Sequence, residues 1–154
     1  MRHKIRCVTL MVRDGKVLMF RSNDPVIGEH WGPPGGGLDS AESIYDCAKR
    51  EFFEETGARA QYLKLAYVQQ YTDSDTNTAG FLFLSTNMEG TPSVQGEGGR
   101  DSEWIEELVW LDRDDLADKR ILPPFLINRF FDDLESGFES PIYLPRSEEH
   151  PAGL

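Results

Sequence analysis

At 154 residues and 17.5 kDa, with 39% hydrophobic and 28% charged residues, the chain has the size and composition of one domain able to hold a core without disulfide or metal staples, which excludes a fibrous or wholly disordered protein. The 16 Lys and Arg stand against 27 Asp and Glu, a net charge of −11, which excludes a general binder of nucleic-acid backbones because nothing supplies the counterion release that such binding needs. A negatively charged ligand would need a metal ion between itself and this protein.

In chain order, the first segment begins with a basic start (Arg2, Lys4, Arg6) and an apolar run, Cys7–Val12, that ends at Arg13 and Asp14. That run is too short for the apolar region of a secretory signal, and no stretch approaches the ~20 apolar residues of a membrane span, so a cytoplasmic setting is expected. Cys7 and Cys47 are the only cysteines and have no metal-binding spacing. Ile5–Val12 reads as a strand, Asp14-Gly15 as a hairpin turn and Lys16–Arg21 as the returning strand. Ser22–Leu38 reads as a Gly- and Pro-rich loop. A helix follows, with Asp39 as its N-cap, Glu42 completing a capping box, an apolar face of Ala41, Tyr45, Ala48 and Phe52, and Gly57 as the C-cap. Strands are expected over Ala60–Tyr71, Ala79–Thr86 and Glu107–Leu111, with a Gly-rich loop over Asn87–Asp101. Asp112 begins a short acidic helix, and Pro124 opens a last helix that runs through Glu135 to Gly137. The net charge is −2 over residues 1–96 and −9 over 97–154, which reads as a solvated acidic surface. Strands adjoin one another rather than alternating with helices, so the expected class is α+β, an α/β/α sandwich with a mixed sheet, as a single domain over 1–145 and a polar tail over 146–154.

The chemistry concentrates between Gly36 and Ala58. Glu51, Glu54 and Glu55 lie at i, i+3 and i+4, on one helix face. Like charges at this spacing repel by about 0.2–0.5 kcal/mol per pair. They also sit in the last turns, where the helix dipole disfavours carboxylates by about 0.3–1 kcal/mol each. Arg50 is the only cation nearby before Arg59, so the repulsion is expected to go unrelieved unless a hard divalent cation removes it. Just upstream, Gly35-Gly36-Gly37 lets backbone approach a phosphate or a metal closely. Each of these features alone also fits a solvated acidic face or a flexible turn.

Together they match a pattern. Gly36, five residues, Glu42, seven residues, then Arg50-Glu51-Phe52-Phe53-Glu54-Glu55-Thr56-Gly57-Ala58 resembles the Nudix box, GX5EX7REUXEEXGU, with every fixed position filled and Ala58 smaller than the family's usual residue. The Pro34-Gly35-Gly36 lead-in is also similar to the family's approach to the box. The resemblance covers about residues 5–135 and implies a Nudix-type sandwich. It implies a hydrolase, MutT-like, of a nucleoside diphosphate linked to another moiety, using Mg²⁺ or Mn²⁺ and attack of water on phosphorus. Carried over residue by residue, Glu51, Glu54 and Glu55 are implied metal ligands, with the carbonyl of Gly35 or Gly36 as a further one. Arg50 would orient one of these carboxylates, and Glu42 would cap the helix.

A general base outside the box is implied on a later loop, with Glu97, Glu103, Glu106 and Glu107 as candidates. Glu103 is favoured because Glu103-Trp104 resembles MutT-type members, and Glu54 is the alternative. For substrate binding the residues singled out are Arg21, Trp31, Gly36, Tyr71 and Phe83, with Phe81, Arg6 and His30 as further candidates. No proline occurs between Pro34 and Pro92, which weakens a resemblance to ADP-ribose pyrophosphatases. The expected partner is a nucleotide-type small molecule, a nucleoside triphosphate or a nucleotide sugar, with no nucleic acid, no membrane, and homodimerisation left open. The alternative is a non-catalytic Nudix-fold nucleotide-binding or sensor module. A Nudix-fold isoprenoid isomerase would need further catalytic residues in a longer chain.

Overall fold

The computed structural model describes residues 2–72, 75–95 and 104–147. The hairpin read from the sequence is present: β1 (Arg2–Arg13) turns at Asp14 and Gly15, both at positive φ, into β2 (Lys16–Asp24), with Val12 opposite Val17. The expected loop over 22–38 instead contains β3 (Gly28–Gly32) and β4 (Gly35–Gly37). Three glycines carry no strand propensity of their own. They form β4 because the edge of β1 supplies the pairing, Arg6 opposite Gly37, Cys7 opposite Gly36 and Val8 opposite Gly35.

The helix of the acidic motif, α1, spans Ile44–Thr56, and its N-cap is Ser43 rather than Asp39. Ala41 at φ 70° turns the chain before the helix can start, and the Ser43 side chain accepts from the Asp46 N–H at 3.0 Å. Glu42 accepts from the Asp39 N–H at 2.9 Å and faces Arg50. With the helix starting later, its buried face is Cys47, Ala48 and Phe52, while Tyr45 is exposed. Gly57 closes α1 at φ 74°, its N–H donating to the Phe53 carbonyl, as its position after the helix led us to expect.

The long strand expected over Ala60–Tyr71 is broken at Tyr62, φ 54°, into β5 (Arg59–Gln61) and β6 (Lys64–Thr72). β7 (Thr76–Ser85), β8 (Asn87–Glu89) and β9 (Ile105–Leu111) follow, then α2 (Arg113–Ala117) and α3 (Phe125–Ser136). Asp112 caps α2 in a reciprocal box with Asp115, and Gly137 ends α3, so both helices stand where the sequence puts them. β10 (Ile142–Ser147) was not expected, and it extends the ordered backbone into the segment read as tail. It tolerates Pro145 because it is an edge strand.

The main sheet has eight strands in the order β10-β6-β7-β1-β2-β3, with β4 also on β1 and β9 also on β2. β1 runs parallel to β7, and β10 parallel to β6; the other pairs are antiparallel. Both faces are covered. Cys7 and Met11 of β1 pack with Cys47, Ala48 and Phe52 of α1, while Val8, Leu10 and Val12 pack with Leu116 of α2 and Leu126 and Phe130 of α3. This is the mixed-sheet α/β/α sandwich. The second edge of β1 is divided between β4 and β2. Among the described residues, no helix is long and apolar enough to cross a membrane.

Candidate active site

Two close approaches bring the glycine strand onto the helix. A Cβ at Gly35 would lie 2.7 Å from the Cys7 carbonyl oxygen, so β4 can press against β1 only without a side chain. A Cβ at Gly36 would lie 2.3 Å from Cδ of Glu51 and 2.5 Å from both its carboxylate oxygens. The Glu51 carboxylate therefore occupies the volume that any side chain at position 36 would fill.

Arg50 ties the cluster together. Its Nε and Nη2 donate to the Glu42 carboxylate at 3.0 and 2.7 Å. Its Nη1 donates to Glu51 at 3.0 Å and to Glu54 at 3.2 Å, and Nη2 also reaches the Gly37 carbonyl at 3.2 Å. The unrelieved repulsion read from the sequence is corrected here: one guanidinium lies between carboxylates that would otherwise oppose each other. The charges polarise one another. The hydrogen bonds from Arg50, then the Asp39 N–H, hold the Glu42 carboxyl down at about 2, and Glu42 in turn raises Arg50. Glu51 moves the other way: burial raises its pKa, with Arg50 opposing. Cys47 lies beneath, its thiol directed to the Gly37 carbonyl at 3.5 Å and pushed up by burial.

Beside this cluster lies a cavity of about 250 Å³. Gly35 and the buried Glu55 line it from the helix side, and Lys4, Arg6 and His30 add positive or titratable groups. Of the substrate residues expected from the sequence, Tyr71 lines it and Gly36 abuts Glu51. Four others are placed elsewhere. Arg21 is held by Glu106, Glu107 and Glu29 at 2.5, 2.9 and 3.5 Å, so its charge is already matched. Phe83 faces the α1 side and meets Tyr45 edge to face at 5.9 Å. Phe81 packs on the same side. Trp31 packs on the α3-side core, with Lys119 over its ring at 5.6 Å and its backbone N–H donating to the Arg120 carbonyl. Glu97 and Glu103 lie outside the described residues; Glu106 and Glu107 are the partners of Arg21.

Sequence reasoning missed Lys4, Ser22, Gln69, Thr78 and Trp104, all of which line the cavity. A signal for Gln69 existed. It alternates with Tyr67 and Tyr71 and so sits on a face that is otherwise large and aromatic.

The donor chemistry suits a hard cation: several carboxylates on one helix face, Glu51 half-buried against a glycine cradle and Glu55 buried. Among the described residues, no three His, Cys, Asp or Glu side chains converge closely enough to hold a metal as they stand; the guanidinium of Arg50 lies between Glu51 and Glu54.

The NUDIX domain family model matches residues 1–129. An RNA pyrophosphohydrolase of Novosphingobium aromaticivorans is 36% identical over 61 residues, and that match spans 38% of this chain and 38% of the relative's own length. Among solved structures, a MutT NUDIX hydrolase from Burkholderia pseudomallei superposes with a TM-score of 0.70 at 26% identity, covering 82% of this chain and 96% of that one. The E. coli ORF135 protein superposes with a TM-score of 0.74 at 19% identity over 91% of this chain and 96% of that one, a likeness of fold.

Proposed function

The chain belongs to the NUDIX domain family, and from that premise we propose that it is a hydrolase of phosphoanhydride bonds, a metal-dependent pyrophosphohydrolase cleaving a nucleoside diphosphate linked to another moiety, a nucleoside triphosphate or a nucleotide sugar, by attack of water on phosphorus. The observation that carries the reading is the Glu51 carboxylate lodged where a side chain at Gly36 would stand, beside Glu54 and a cavity floored by Glu55. Even partial burial of a carboxylate is costly. Its retention at a glycine cradle fits a binding role better than a structural one.

Glu51, Glu54 and Glu55, with the carbonyl of Gly35, are the residues that would hold Mg²⁺ or Mn²⁺. Bound there, such a cation supplies Lewis acidity and offsets the charge of a diphosphate. Arg50 fixes the orientation of Glu51 and Glu54 through one Nη1 and anchors itself on Glu42. Lys4 and Arg6 bring positive charge to the wall of the cavity. Water oxygen bonds to phosphorus as the bridging P–O bond breaks, and the proton passes to a carboxylate. Glu103 is proposed for that proton on its resemblance to MutT-type members, with Glu54 as the alternative. A cation held by Glu51, Glu54 and Glu55 would let a chain of net charge −11 accommodate an acidic substrate.

The test is a panel of nucleoside triphosphates, nucleotide sugars, ADP-ribose, dinucleoside polyphosphates and a short 5′-triphosphorylated RNA, with Mg²⁺ and with Mn²⁺, products resolved by chromatography. Turnover that stops on chelation is expected. Glu54→Gln should lower kcat by about 10²–10⁴-fold with an unchanged circular-dichroism spectrum. Wild-type-like turnover by this variant removes the role of Glu54. Tight nucleotide binding without turnover under any condition favours the sensor-module reading instead.

A further inference from the structure

The face of the sheet that meets α3 changes character along its strands. On β1, Val12, Leu10 and Val8 belong to the core, and Arg6 and Lys4 continue the same face. On β7, Leu82 belongs to the core, and Gly80 and Thr78 continue it; on β6, Tyr67 gives way to Gln69. Apolar residues stand where the helix covers the sheet, and polar ones where the cavity begins.

Among the described residues, three polar side chains of the cavity wall, Gln69, Thr78 and Ser22, are buried without a hydrogen-bond partner. Gln69 is 4% exposed, Thr78 2% and Ser22 9%, and all three line the cavity. Among the described residues, no hydrogen bond reaches the Gln69 amide or the hydroxyls of Thr78 and Ser22. Elsewhere in the same strands, like groups are satisfied. Gln70, on the opposite face of β6, donates to Asn77 at 2.8 Å, and the buried Ser85 hydroxyl donates to the Gln61 carbonyl at 2.5 Å. Buried polar groups are paired in the great majority of cases, so three exceptions on one cavity wall call for a reason.

Gly80 supplies a second, independent one. It stands directly opposite Gln69 on β7, and a Cβ there would make only ordinary contacts, 3.6 Å to the Gln69 carbonyl oxygen and 3.7 Å to Leu82. Nothing in the packing forbids a side chain. Its absence keeps open the space over the amide. Phe20, Tyr71 and Trp104 give the cavity flat apolar walls, which suit a ligand that is planar, apolar on its faces and polar at its edge.

We propose that Gln69, supported by Thr78 and Ser22, is the specificity-determining residue of this cavity and reads the edge of the substrate's nucleobase where a hydrogen-bond donor stands beside an acceptor. A carboxamide carries one acceptor and one donor on a single carbon, and so pairs with such an edge through two bonds at once. The two hydroxyls turn to complete whatever the amide leaves. The inference rests on the nucleotide reading above and adds which side chains choose among nucleotides.

The experiment compares nucleotides with analogues that lack the exocyclic group of that edge, purine riboside for the purines and 2-pyrimidinone riboside for the pyrimidines. kcat/KM is measured for the triphosphates with Mg²⁺, and Kd for the monophosphates in EDTA by calorimetry. The wild type should prefer its best nucleotide over the matching analogue by about 10-fold or more. Gln69→Leu should bring that ratio to within about 2-fold, through KM rather than kcat, and should melt a few degrees higher because an unpaired buried amide is gone. Thr78→Val, close in shape, should lower the same ratio, whereas Gly80→Val should weaken all nucleotides alike and leave the ratio standing. A wild type that does not discriminate, or a Gln69→Leu variant that keeps the wild-type ratio, overturns the proposal. If no nucleotide is hydrolysed, the hydrolase substrate class falls while the monophosphate Kd values still decide this inference.

Discussion

Arg50 shows how one side chain changes the meaning of its neighbours. By itself each glutamate of the motif adds repulsion and opposes the helix dipole. With Arg50 bonded to Glu42, Glu51 and Glu54, the cluster becomes a network in which each member restrains the next. Glu42 is its fixed end. Its folded pKa is about 2 against an ordinary 4.5, so the stability it contributes is fully present above about 4.5 and is lost as pH falls towards 2. Glu42→Gln should therefore lower the unfolding free energy at pH 7 by about 1.5–3 kcal/mol. The gap to the wild type should close between pH 4.5 and 2, as read by urea denaturation at stepped pH. A gap that stays constant down to pH 2 would show that the ion pair is not its source.

At the level of elements, the contact between β4 and α1 sets the site, and the three glycines of β4 are not equivalent. Gly35→Ala meets the Cys7 backbone at 2.7 Å, which neither strand can relieve without moving, and should cost about 1–3 kcal/mol of stability. Gly36→Ala meets the Glu51 carboxylate at 2.3 Å. That group sits at the end of a rotatable side chain and can swing away, so the loss should be chiefly in turnover. Gly37→Ala meets nothing within 4 Å and should stay within about 0.5 kcal/mol of wild type with turnover kept. Denaturation midpoints and initial rates on the three variants give this order or refute it. The capping of α1 belongs to the same scale. Asp39 and Glu42 have the spacing of a capping box, and its Glu42 half forms, to the Asp39 N–H, yet the chain turns at Ala41 and begins its helix from Ser43, with Glu42 also accepting from Arg50.

For the whole molecule, the cavity exists because α3 covers only part of its sheet face. Phe130 is fully buried at the centre of that cover, edge to face with Phe131 at 5.1 Å. Phe130→Ala should cost about 3–5 kcal/mol, measured by thermal or urea unfolding. A cost below about 1 kcal/mol would mean that α3 is a loose flap rather than a structural wall. The other face is closed by α1, and Glu55 of that helix lines the cavity together with Gly35 of β4.

The motif spacing by itself determined the family, the helix and its Gly57 end, and the hairpin and the two C-terminal helices followed from turn, cap and proline signals, since all of these are short-range and each residue acts within a turn or two of itself. Which residues face the cavity was decided only by the tertiary structure. A sheet covered on both faces is apolar on both, so alternation marks a strand without saying which of its faces opens, and Tyr71 and Phe83 read alike until the register places them on opposite sides. Arg21 likewise reads as an available cation until Glu106 and Glu107, more than eighty residues away in sequence, are found bonded to it. β4 and β10 form because a neighbouring strand offers an edge, a property of the partner that the residues of the strand do not carry.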